Sequence, residues 1–404
     1  MPLDLPPQDL AGCPDCGLIQ RLPPLPAPGT TAACTRCGAV LRRRRADPLR
    51  RPLAFALAGL ALFSVAATLP LLDLDLYGRV REATLAALPA ALQSEGWWEL
   101  ALVVAATVLL LPPVRLLMLT TVLAGLHLGH RGRWLRRLYR WQAAIRRWAM
   151  PEVFMLGLGV AYSRLMALAE VTPGPALWAT AAFMLAMLAS DASMDEPAIW
   201  HAFDPEATAH FPGIPCPACG LVTRAAPGTP CPRCDGPLWP RKPASVTRTS
   251  ALTAAAAMLY LPANLYPVMH ITRLGRTEAP TILGGVQELL EAGMWPLAAL
   301  VLVASIAVPV FKLVAIVLML RAARRGPRRP PLTLTRLYRF IEFIGRWSMI
   351  DIFMLSTLVA LVQAELLARI VPGTGALCFG SVVVLTMLAS ASFDPRLMWD
   401  AARR

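Results

Sequence analysis

The chain has 404 residues, of which 56% are hydrophobic and 16% charged, with a mean hydropathy of +0.53. Soluble domains carry about 25% charged residues, so this composition excludes an ordinary soluble protein. The net charge of +14 is almost wholly arginine, Lys242 and Lys312 being the only lysines. These arginines cluster beside apolar runs, which fits loops facing anionic lipid and argues against nucleic acid as a partner.

Residues 1–45 are polar and Pro-rich and carry Cys13-Pro14-Asp15-Cys16 and Cys34-Thr35-Arg36-Cys37, each pair followed by glycine (Gly17, Gly38). Two tight turns that each aim two thiolates at one point suit a tetrahedral four-cysteine site. No apolar h-region precedes them, so the N-terminus is expected to stay inside, and free thiols favour a reducing compartment. Apolar runs follow at Leu53–Leu72, Trp97–Leu119, Trp148–Ala169 and Ala176–Met194, each near the roughly 20 residues that cross a bilayer. The loop between the second and third holds seven arginines and no acid, from Arg131 to Arg147.

The order then repeats. Cys216, Cys219, Cys231 and Cys234 form a second set, followed by runs at Ser250–Met269, Trp295–Leu320, Trp347–Leu367 and Gly375–Phe393. Arg147–Met155 aligns with Arg346–Met354, and Met-Leu-Ala-Ser occurs at Met187–Ser190 and at Met387–Ser390. An internal duplication is the plain reading. The expected fold is an all-α polytopic membrane protein: a zinc ribbon in residues 1–45, a four-helix transmembrane unit in 46–200, a second ribbon in 205–242 and a second four-helix unit in 245–404. Four spans per half make the repeats parallel, and the arginine loops put both termini and both ribbons in the cytosol. Glu82–Gln93 and Thr281–Ala292 read as amphipathic helices on the far face. Tryptophans at the run ends, such as Trp97, Trp148, Trp295 and Trp347, read as interface anchors.

Zinc, one ion per cysteine set, is the usual occupant of such sites. Iron in a rubredoxin-like site uses the same ligands, and a redox Cys-x-x-Cys is a third option. Cys378, inside a span, reads as a small core residue.

Charges inside the spans mark candidate functional positions. Lys312 lies nine residues before Arg321, roughly 13 Å inside the cytosolic end at ~1.5 Å per residue. Ser305 and Pro309 share its helix face, and Pro309 gives the helix a place to bend. The expected partner of Lys312 is Asp351 on the third span, with Thr386 on the last span facing the same cavity. The first half offers Arg115 with Glu152 at the matching positions, 197 and 199 residues upstream. Arg164 is an isolated mid-span charge whose counterpart is Gln363. The alternative for both pairs is purely structural glue. There is no phosphate loop, hydrolase elbow or histidine cluster, which points away from an enzyme.

Four segments carry a resemblance: Leu261–Met269 (LPANLYPVM), Val308–Lys312 (VPVFK), Gly345–Phe353 (GRWSMIDIF) and Ala389–Arg396 (ASASFDPR) with Trp399-Asp400. They are similar to the paraquat-inducible protein A family over nearly the whole chain, most densely in the second half. The first half departs from the pattern at Thr68-Leu69-Pro70, which lacks the asparagine, and at Glu152 in place of aspartate. The resemblance implies a bacterial inner-membrane protein that partners a periplasmic MCE-domain tunnel protein, supports envelope integrity and exchanges phospholipid between membranes. It also implies four-span units like those of tetraspanins or claudins. On this reading Lys312 contacts a lipid phosphate or takes part in proton coupling with Asp351. Two other readings stay open: a non-transporting scaffold that recruits cytosolic partners through its ribbons, and a secondary exporter of amphiphiles.

Overall fold

A computed structural model describes residues 9–76, 79–166, 170–207, 209–273, 276–327, 330–364 and 368–403. The first ribbon consists of two hairpins, β1 (Asp9–Gly12) with β2 (Ile19–Leu22), and β3 (Thr31–Ala33) with β4 (Val40–Arg43). The first membrane unit opens with α1 (Arg50–Thr68), the hairpin β5 (Leu72–Leu76) and β6 (Arg79–Ala83), and the short α2 (Ala87–Ser94). One 30-residue helix follows, built from α3 (Trp98–Val104), a π-helical stretch (Ala105–Leu110) and α4 (Leu111–His127). Then come α5 (Arg133–Ile145), α6 (Pro151–Leu165), β7 (Glu170–Pro173), α7 (Pro175–Ser193) and α8 (Glu196–Phe203).

The second ribbon holds the short pair β8 (Ile214–Pro215) and β9 (Val222–Thr223). The second unit repeats the first: α9 (Ser245–Leu265), β10 (Met269–Arg273), β11 (Arg276–Glu278) and α10 (Ile282–Glu291). It continues with α11 (Trp295–Leu302), a π-helical stretch (Val303–Ala307), α12 (Val308–Arg325) and α13 (Pro331–Ile344). A 3-10 turn (Gly345–Met349) leads into α14 (Ile350–Leu361), β12 (Gln363–Ala364), β13 (Ala368–Pro372), α15 (Thr374–Ser392) and α16 (Arg396–Ala401).

Among the described residues six helices are long and apolar enough to cross a membrane, and the chain is a multi-pass membrane protein. The two remaining span positions are taken by α9 and α6. Helix α9 has 21 residues but opens on the polar stretch Ser245–Ser250. Helix α6 has 15 residues, roughly 22 Å at ~1.5 Å per residue, and α14 has 12 but runs on from α13 through the 3-10 turn as one 31-residue helix, Pro331–Leu361. The ends expected at Ala169 and Leu367 fall outside the described residues. Helices α6 and α14 pack on each other at the centre: Phe154 and Phe353 meet edge to face at 5.8 Å. A Cβ added at Gly157 would stand 2.9 Å from the Ile350 carbonyl and the Phe353 Cβ. Every residue of α14 but Asp351 is buried.

The mixed-charge stretch after the first apolar run forms strands. Leu72–Leu76 alternates Leu and Asp, the period of two of a strand. It pairs antiparallel with β6 and β7, and β10 occupies the same place in the second sheet, β11-β10-β13-β12. Glu82 therefore belongs to β6, and the amphipathic helix begins later than its sequence pattern implies. The second amphipathic helix agrees closely; Thr281 caps it by accepting from the Gly284 amide at 3.2 Å. One hydrophobic core runs beneath both halves, joining Leu72, Phe154, Phe353 and Val383.

Both long second-span helices widen to a π turn just ahead of a proline, Pro112 or Pro309. Proline has no N–H and clashes with the carbonyl four residues back; the extra residue in the turn absorbs that conflict, as π segments do at functional sites. The carbonyl four back from Pro309 is that of Ser305.

Candidate functional site

The cysteines of each set converge. Within each set all four sulfurs lie within 4.8 Å of one another, and none is oxidised. Cys13 Sγ stands 3.4 Å from Cys37 Sγ, and Cys16 Sγ 3.6 Å from Cys34 Sγ; the second set repeats this with 3.5 Å (Cys216–Cys234) and 3.6 Å (Cys219–Cys231). A tetrahedron with metal–sulfur bonds of about 2.3 Å has edges near 3.8 Å, so both cages could hold a metal ion. The local fold follows from the knuckle sequence. The amide after each second cysteine turns back to the first carbonyl, as Gly17 to Cys13 at 2.9 Å and Gly38 to Cys34 at 2.9 Å. That turn needs positive φ, +73° at Gly17 and +69° at Gly38, which glycine adopts without a Cβ penalty.

The ribbons are crossed relative to the repeat. Ribbon one, which precedes the first half, docks on the second: Arg339 of α13 donates to Asp15 at 2.7 Å and to the carbonyl and sulfur of Cys37 at 3.3 and 3.4 Å. Arg36 lies 4.2 Å from the Trp399 ring centre. Ribbon two packs on the first half, where Arg140 of α5 donates to the Cys234 carbonyl at 3.1 Å and Arg136 to that of Arg233 at 3.1 Å. Arg140 and Arg339 are repeat equivalents, and each steadies a knuckle of the other repeat's ribbon. The ribbons also meet, since a Cβ at Gly12 would lie 2.5 Å from Pro215.

Inside the membrane units, the expected ion pairs are replaced. Lys312 does not meet Asp351: its Nζ donates to Thr386 Oγ1 at 2.7 Å, and Thr386 donates onward to the Val383 carbonyl. Asp351 instead accepts a hydrogen bond from Ser305. Arg115 does not meet Glu152 either; it pairs with Asp191 on α7. Glu152 accepts from Arg346 at 3.0 Å, across the junction between halves. In both halves the second-span cation thus reaches the fourth span, because the third spans turn towards each other at the centre. Pro309 contributes backbone geometry, ending the π turn that presents Ser305 to Asp351.

The two halves differ in charge balance. Arg115 and Lys312 are both 1% exposed. Arg115 faces a carboxylate, and Asp191 in turn pairs with Arg146 at 3.5 Å, which reaches Glu196 at 3.0 Å. Lys312 has a neutral hydroxyl as its hydrogen-bond partner and forms no ion pair among the described residues. A cavity of about 40 Å³ opens on the second-half centre, lined by Ser305, Asp351, Thr281, Gly285, Val301 and, from the first half, Arg164. That volume admits a few waters at about 10–15 Å³ each.

Beyond the spans, Asp394 anchors the C-terminal end. It accepts from the Arg396 guanidinium at 2.8 and 2.9 Å and from the Lys242 amide at 2.9 Å. Burial pushes its carboxyl up, but the Arg396 hydrogen bonds and charge carry it below the ordinary value. Burial lowers Lys242, whose ammonium donates to the Ala391 and Phe393 carbonyls. The Asp400 carboxyl is held low by its bonds to Arg241, at 2.7 and 2.8 Å.

Two kinds of residue escape the sequence reading. Asp191 is the acid that closes the apolar run Ala176–Met194, and its being the first charge after so long a run was the available signal. Arg140 and Arg339 were hidden among the loop arginines, although their repeat equivalence could have singled them out. Cys378 is part-buried on α15 against the shared core, and the Gln363 side chain lies outside the described residues. Asn264 bonds its own helix, donating to the Tyr260 carbonyl at 2.8 Å.

Comparison with known proteins adds a family. A family model described as paraquat-inducible protein A matches residues 49–204 and 246–403. The intermembrane transport protein PqiA of Escherichia coli is 33% identical over 96% of this chain and 95% of its own length. The lipophilic envelope-spanning tunnel protein A of E. coli is 29% identical over 98% of this chain and 93% of its own. A probable intermembrane transport protein of Haemophilus influenzae is 26% identical over 98% and 97%. No solved structure matches.

Proposed function

We propose that this chain, which belongs to the paraquat-inducible protein A family, works in the bacterial inner membrane and passes phospholipid to or from a periplasmic MCE-domain partner. The naming of its relatives as intermembrane transport proteins supports this reading. The working centre is in the second half, at Lys312, Thr386, Ser305 and Asp351. One observation carries that choice: Lys312 is buried without a counter-charge among the described residues, whereas the arginine at the equivalent place in the first half, Arg115, has the Asp191 carboxylate. An unpaired buried ammonium is costly, and lysine, unlike arginine, can give up its proton. The first half is locked by Arg115 with Asp191, whereas the second can take up a phosphate or exchange a proton with the far side through the cavity above Asp351. Zinc fills both cages and holds the crossed ribbons, and these face the cytosol with both termini.

Complementation tests the reading. In a strain lacking this gene and sensitised to detergent, Lys312→Ala and Asp351→Asn are expected to lose protection while still inserting and keeping their metal. Full protection by both variants would rule the second-half centre out, and a protein that protects without any MCE partner would favour export instead.

A further inference from the structure

Arg164 is a first-half residue in a second-half cavity. It sits in the last turn of α6 and lines the space that holds Ser305 and Asp351. A guanidinium offers five donors, yet Arg164 makes no hydrogen bond or ion pair among the described residues, and its Nε is buried without a partner. The acids whose charge reaches it are Asp351, which lines the same cavity, and Glu288 of α10. An intramembrane arginine with no acceptor is expensive, and its repeat counterpart is the neutral Gln363. The opposite wall carries Gly285, where an added Cβ would meet nothing within 4 Å. Space therefore remains between α10 and Arg164. Beside that opening α10 and α11 leave Leu283, Leu302 and the adjoining Val303 exposed, an apolar surface along which acyl chains can lie.

We propose that Arg164 is an anion-binding residue supplied by the first half, and that it takes the phosphodiester of a glycerophospholipid whose chains stay outside the cavity. The fork geometry of arginine suits two oxygens of one phosphate, and a cavity of about 40 Å³ has no room for an acyl chain. This rests on the phospholipid reading above and gives the first half a part in it.

Tritiated phosphatidylglycerol binding to the full-length protein in detergent tests the proposal, with diacylglycerol of the same chains and inorganic phosphate as competitors. Arg164→Gln is expected to weaken binding at least tenfold and Arg164→Lys several-fold. Gly285→Val, whose Cβ would meet no protein atom within 4 Å, should weaken it as well and serves if Arg164→Gln fails to fold. Binding unchanged by Arg164→Gln, or by Gly285→Val where that is the variant read, would overturn the proposal. So would competition by inorganic phosphate at the lipid's own concentration, or by diacylglycerol as strong as by the phospholipid. If Arg164 merely balances Asp351, the loss vanishes when Arg164→Gln is placed in an Asp351→Asn background, and that also overturns it. Lys312→Ala run in parallel separates the two readings: lipid lost there but kept in the Arg164 variants leaves the transport site standing and removes only the arginine's role.

Discussion

Asp191→Asn isolates the difference between the halves. The substitution leaves the Arg115 guanidinium 1% exposed without its carboxylate, and the Arg115 Nε already lacks a partner. Removing one member of a buried pair costs about 3–5 kcal/mol. Asp191 itself is 17% exposed, so the lower end applies. If the first half melts as a unit of about 150 residues, that corresponds to a drop of roughly 6–12 °C. The assay is the melting midpoint of the detergent-solubilised protein. The double variant Arg115→Met with Asp191→Leu removes both charges and should recover most of the loss, since apolar replacement of a buried pair is often neutral; Arg146 keeps Glu196 at 3.0 Å. A single variant within about 1 kcal/mol of wild type, or a double variant as unstable as the single, would refute the lock.

Thr386→Val removes the 2.7 Å acceptor of Lys312 and should cost about 1.5–3 kcal/mol, the range for a hydrogen bond to a charged group, read in the same melt. Arg339→Ala is expected to speed metal loss from ribbon one to a chelator several-fold, leaving ribbon two as it was, while Arg140→Ala does the reverse; an indicator dye reports each. Asp394 and Asp400 both have lowered folded values, so their contribution is complete above the unfolded carboxylate range near 4 and is lost as pH falls through and below it. Asp394→Asn, at a site 1% exposed, should therefore flatten the acid limb of stability against pH more than Asp400→Asn, which is half-exposed and screened.

How far the sequence carried depended on range. Apolar runs and Cys-x-x-Cys pairs are local, and both the helices and the cages follow from them. The duplication added the correspondence of Lys312 with Arg115. Partners across the bundle were not legible, because consecutive numbering suggests neighbouring spans and says nothing of which helices turn inward. Glu152 met Arg346, and Arg115 met Asp191, only because α6 and α14 occupy the centre. The hairpin at Leu72–Ala83 hid behind its charges, although its alternation was the signal. The crossed ribbons left no local mark: residues 9–45 read the same whichever half they dock on.

Native mass spectrometry of the full-length protein tests the central claim most directly, with wild type beside Lys312→Ala and the Arg115→Met, Asp191→Leu double variant. The account predicts two zinc-sized increments in all three, with a phospholipid retained by wild type and by the double variant but lost from Lys312→Ala. Phospholipid held equally by Lys312→Ala, or lost from the first-half variant instead, would contradict it.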